Sequence, residues 1–106
     1  MSNVPTDSLT VTDWYKQDVY DPSNNKLGQI ADVLVGQNGQ IAALILGVSG
    51  SVGADKDVAV NFSAVKQTTK DNKVYLTMNA TKDSLEAAPG FKYDRNKTGW
   101  VPDNSK

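Results

Sequence analysis

Four aspartates, Asp21, Asp32, Asp55 and Asp57, are the residues of this chain best suited to hold an ion or move a proton. Asp21, Ser23 and Asn25 stand at alternate positions, and Asp32 falls where a loop-closing carboxylate would complete a calcium loop. Lys26 occupies the place where such a loop needs glycine, and Pro22 stiffens its entry, so the spacing reads as a solvated turn. Ser49, Ser51, Lys56 and Asp57 are close in sequence within or beside the glycine-rich stretch Gly47 to Lys56. That stretch lacks the Gly-Lys-Ser/Thr ending of a phosphate-binding loop, and no helical pattern follows it. Its glycines instead suit a wide turn over one end of a barrel. The chain has no histidine and no cysteine. The commonest general base, the commonest metal ligand and all thiolate chemistry are therefore missing. An enzyme built here would depend on carboxylates, Lys, Ser or Tyr, and no spacing assembles them. The reading is a non-catalytic protein with no cofactor and no metal, the four aspartates with Trp14 or Trp100 nearby marking the rival ligand- or ion-binding reading.

The composition agrees with one soluble domain. Apolar residues make up 39% of the 106 and charged residues 22%, enough for a modest core. Eleven basic and 12 acidic side chains leave a net charge of -1, and no two basic residues are adjacent, so nucleic acid is not an expected partner. No apolar run approaches the roughly 20 residues of a membrane helix. Residues 1–12 form a polar lead-in without the charged and apolar regions of a signal peptide, either native or what remains after a leader is removed. Three Asn-x-Ser/Thr triplets, at Asn61, Asn79 and Asn96, are short enough to arise by chance.

The elements that would position these residues centre on Leu27 to Val48. This stretch reads as two strands folded about Asn38-Gly39, a pair suited to the positive φ of a type I′ turn. Ile41 to Leu46 is apolar at every position, whereas a strand with one wet face alternates. Both its faces are therefore expected to be covered, one by the barrel interior and the other by the C-terminal segment or by a second subunit. Val19-Tyr20, Asp57 to Phe62, Lys66 to Thr69 and Val74 to Met78 read as further short strands, with Val74, Leu76 and Met78 alternating inward. Thr12-Asp13 caps a short turn that packs Trp14 and Tyr15 on the domain. Thr81 or Asp83 caps a helix of about two turns ending at Pro89-Gly90, with Glu86 completing an Asp-x-x-Glu spacing. Phe91, Tyr93 and Trp100 punctuate a polar tail and pin it across the domain, or form a partner-binding stripe. The candidate interaction surface is Ile41, Leu44, Ile45, Leu46, Leu85, Phe91 and Trp100, its partner another protein or a second copy in a dimer. The expected boundaries are a flexible leader over 1–12, one domain over 13–94 and a polar tail over 95–106.

The run Lys26 to Val35 with its Gly-x-Ile-x-Asp-Val pattern, then Asn38-Gly39-Gln40-Ile41, then Asp57-Val58-Ala59-Val60 and Phe62, resembles the PRC-barrel domain. This is the small β-barrel of the photosynthetic reaction-centre H subunit and of a ribosome maturation factor. The continuation through Ala88-Pro89-Gly90-Phe91-Lys92-Tyr93-Asp94 resembles small stand-alone bacterial members, many with a secretion leader. Asn61 departs from the proline common after Val-Ala-Val, and Ser51 from a phenylalanine common in the glycine loop. The resemblance implies an all-β barrel of about six short antiparallel strands with one short C-terminal helix, working as an adaptor without catalytic residues. It also implies a place in the periplasm or cell envelope, with the cytoplasm as the alternative.

Overall fold

A computed structural model describes residues 2–4, 9–49 and 55–103. The chain opens with a single helical turn, α1 (Val11–Trp14), followed by β1 (Asp18–Tyr20), β2 (Lys26–Val35) and β3 (Ile41–Ser49). Next come β4 (Asp55–Val60), a 3-10 turn (Phe62–Ala64), β5 (Val65–Lys70), β6 (Lys73–Met78) and helix α2 (Lys82–Ala87). A last hairpin, β7 (Phe91–Asp94) and β8 (Gly99–Pro102), completes the sheet.

The strands form one sheet in the order β5-β6-β1-β2-β3-β4-β7-β8. Neighbours are antiparallel except β1 and β6, which run parallel with Val19 opposite Leu76. Buried residues from all of β1 to β6 meet in one cluster with Trp14 and Leu85, so this part of the sheet curls around a shared core. The 3-10 turn joins β4 to β5 across the curl, and Phe62 stacks at a tilt on Trp14 with ring centroids 5.1 Å apart.

This corrects the expected architecture in five respects. There are eight strands among the described residues, one pair is parallel, and the ladder is left open with β5 and β8 at its edges. The helical turn α1 joins the expected C-terminal helix. The sheet runs on to Pro102, past the boundary expected at 94, because the segment read as a polar tail carries β8. Its turn is held locally: Asp94 Oδ1 accepts from the Asn96 amide at 2.9 Å, and Thr98 takes φ 48°. The open edges are protected by their residues, β5 by Lys66 and Lys70 on an exposed strand and β8 by Pro102.

The central hairpin forms, with a different turn. Gly39 has φ +86°, but Asn38 is not in the positive-φ region, so the loop is not type I′. Gly39 donates to the Gly36 carbonyl at 2.9 Å and Gly36 to the Gln40 carbonyl at 2.7 Å, closing a three-residue loop with a bulge. Asn38 Oδ1 accepts from the Gln40 amide at 3.1 Å and holds this form. The two-residue turn with both φ values positive occurs instead at Asp71 (53°) and Asn72 (64°), between paired Lys70 and Lys73. In β2, Gly28 has a steric cause: a Cβ there would stand 2.3 Å from the Gly47 carbonyl oxygen.

Candidate interaction surface

Strand alternation separates the apolar run of β3 into two faces. Leu44 and Leu46, both fully buried, point into the core cluster. Ile45 lies on the opposite face, yet only 1% of it is exposed. Its cross-strand partner on β2 is Asp32, which therefore shares that outer face. Asp32 Oδ2 accepts a hydrogen bond of 2.7 Å from Trp100 Nε1 on β8.

In the sheet order, β3, β4 and β7 separate β2 from β8. In a flat sheet that separation would be roughly 19 Å, at about 4.8 Å per strand. A 2.7 Å bond across it requires the β7–β8 hairpin to fold back over the outer face, above β3. The second cover of the apolar strand is thus the chain's own C-terminal segment. Phe91 anchors one end as the cross-strand partner of Asp57 on β4. Tyr93 meets Trp100 edge to face, with centroids 5.9 Å apart. The other Asp32 oxygen, Oδ1, accepts from the Val33 amide at 2.8 Å. The carboxylate thus serves the strand and its cover together.

The seven residues expected to form one interaction surface do not form one. Leu44, Leu46 and Leu85 belong to the core cluster, and Ile45 is covered within the chain. Phe91 and Trp100, both half-buried, are the covering segment itself. Ile41 lies apart, half-buried beside a crevice lined by Leu9, Val11, Trp14 and Val33. Groups buried within one folded chain present nothing to a partner.

Asp21 and Trp14, weighed for chemistry, also have structural employment. Asp21 Oδ1 accepts from the amides of Ser23 (2.9 Å) and Asn25 (2.8 Å), and Oδ2 from the Asn25 side chain (3.2 Å). The Asn25 backbone bond leads in holding this carboxyl below its ordinary value of 3.8, with the Asn25 side chain and the Ser23 amide adding to it. Asp57 lines an open groove of about 300 Å³ with Lys26, Gln29 and the Gly28–Gly47 pair. Among the described residues no three metal-ligating side chains converge. Gly50, Ser51 and the side chains of Ser49 and Asp55 lie outside what is described. Trp14 is buried, and its Nε1 donates to Gln67 Oε1. Tyr15, expected to pack beside it, is exposed, with Lys16 Nζ 5.4 Å from its ring centre.

Two structural contacts hold the ends of α2, and the first escapes a reading of the sequence. Lys56 Nζ reaches from β4 to the carbonyls of Glu86 and Ala88, closing the C-terminal end of α2. At the other end Thr81 is the cap, one of the two residues expected there, and its capping-box partner is Ser84 in place of the expected Asp-x-x-Glu pairing with Glu86. Beside the unbroken apolar run Ile41 to Leu46, a further signal for the outer face was Asp32, an acidic residue inside an apolar strand where such residues are depleted.

The family model of the PRC-barrel domain matches residues 7–85. The chain belongs to the PRC-barrel family. No curated protein matches it. The matched segment contains β1 to β6, and it ends within α2, before the covering hairpin begins at Phe91.

Proposed function

We propose that this PRC-barrel protein is a non-catalytic assembly module, self-associating or docking on another protein. The observation that carries this reading is the state of Asp32. The carboxylate placed in the family-like Gly-x-Ile-x-Asp-Val run binds Trp100 Nε1 and the Val33 amide, and so works as a structural tie. Asp21 is likewise bound by its own turn, and Trp14 by Gln67 and Phe62. These groups hold the fold together, which favours a scaffold over an enzyme or an ion carrier. The resemblance to small bacterial members with a secretion leader supports a working place in the periplasm or cell envelope.

Affinity capture from a native extract with the purified chain as bait, after chemical cross-linking, tests the reading alongside solution mass. A specific cross-linked partner, or a concentration-dependent dimer, is the expected result. A strict monomer with no retained protein would overturn it. Trp fluorescence titrated with calcium probes the rival ion-binding reading, and the expected trace is flat.

A further inference from the structure

The hairpin β7–β8 is built as a unit of its own. Four cross-strand pairs join its strands, the Asp103 amide donates to the Gly90 carbonyl at its base, and Asp94 fixes its turn. It is tied to the rest of the sheet through the ladder pair Asp57–Phe91 and the indole–carboxylate bond from Trp100 to Asp32, and Lys56 Nζ bonds the Ala88 carbonyl where the link begins. The link to α2 is short, Ala88-Pro89-Gly90, with Ala88 already extended at ψ 153°. The unit also begins beyond the residues that match the family.

We propose that this hairpin exchanges between two copies of the chain, each closing the outer face of its partner's β2, β3 and β4. The inference rests on the assembly reading and names one partner for it, a second copy. When the hairpin lifts, Ile45 and the Asp32 carboxylate are uncovered together, an apolar surface beside a hydrogen-bond acceptor. The segment that binds the Asp32 carboxylate is residues 91–102, and a second copy carries the same segment. Every contact made in the single chain is then remade between chains, so only the path of residues 88–90 differs. Exchange of an identical element is a low-cost route to a symmetric dimer. In the single chain the tethered hairpin competes at an effective concentration on the order of millimolar, so the native linker favours closure within one chain in dilute solution.

Two variants of the full chain test this. Deleting Pro89 and Gly90 shortens the tether and turns closure toward a second chain. Light scattering on a sizing column is expected to give a dimer at micromolar concentration, with Trp100 still shielded from a soluble quencher. A monomer with Trp100 open to the quencher overturns the proposal. The second variant needs no change of tether. The chain has no cysteine, so the pair Asp57→Cys with Phe91→Cys supplies its only thiols, at the ladder position joining hairpin and body. Oxidised after refolding in dilute solution, it is expected to close within one chain. Refolded near millimolar concentration, it is expected to give covalent dimers. Disulfides confined to single chains at every concentration overturn the exchange. A foreign protein captured by a chain that never exchanges would remove this inference and leave the assembly reading standing.

Discussion

The curled body of the sheet and the C-terminal hairpin are both β structure joined by turns, but different forces hold them. The body buries aliphatic side chains from β1 to β6 around Trp14 and Leu85. Burial of that kind is non-directional, and each fully buried aliphatic side chain contributes about 1.5–3 kcal/mol. The hairpin brings half-buried aromatics and a directed bond, Trp100 Nε1 to Asp32. A directed bond sets orientation more than it adds net stability, commonly about 1.5–3 kcal/mol when one partner is charged. The body should therefore unfold as a whole, and the hairpin should open by itself.

The largest expected effect lies in the body. Leu46→Ala removes a fully buried side chain from the core cluster and should cost about 2–5 kcal/mol in urea unfolding, with every probe moving together. Gly28→Ala follows at about 1–3 kcal/mol, since its Cβ would meet the Gly47 carbonyl oxygen at 2.3 Å and force β2 and β3 apart. Thermal melts followed by circular dichroism check it, and an unchanged midpoint would mean that the strands shift freely.

Trp100→Phe then addresses the other side of the comparison. It keeps most of the aromatic bulk and removes the N–H that Asp32 accepts. The expected cost is roughly 1.5 kcal/mol, read as faster amide exchange in residues 91–102 while the urea midpoint of the body barely moves. Thr81→Ala should cost about 1 kcal/mol by removing the cap from α2, seen as lost helical signal around Leu85. The smallest effect concerns Asp21, whose carboxyl is held below its ordinary value. A lowered folded value stabilises the protein above pH 3.8, and that contribution is lost as pH falls through the folded value. Asp21→Asn should flatten this part of the acid-unfolding curve by removing a small contribution at neutral pH, leaving stability below the folded value nearly unchanged.

The two regions also differ in how far they can be read from the sequence. The apolar run Ile41 to Leu46 and the alternation in Val74 to Met78 carry their strand character in residue type, and both form strands. The unbroken run also implied two covered faces, and the burial of Ile45 agrees. The C-terminal segment was one of the two covers this run implied, but its strand β8 was not legible, because Gly99 to Pro102 has too few residues for a period to appear. The pairing of Trp100 with Asp32 joins positions far apart in sequence, through a fold-back that no local pattern encodes. The type I′ turn was assigned to Asn38-Gly39 on residue preference, but the Asn38 side chain bonds the Gln40 amide and selects the longer loop. Asp71-Asn72, with a less favoured pair, takes the tight form because Lys70 and Lys73 pair across it.

Native-state hydrogen exchange on the wild-type chain tests most directly whether the hairpin is a separable cover on a strand buried within one chain. The amides of residues 91–102 and the Trp100 indole N–H should exchange through an opening of clearly lower free energy than the amides of residues 44–48. The β3 amides should exchange only with global unfolding. Equal protection in the two regions, following one denaturant dependence, would contradict the account and make hairpin and body a single cooperative unit.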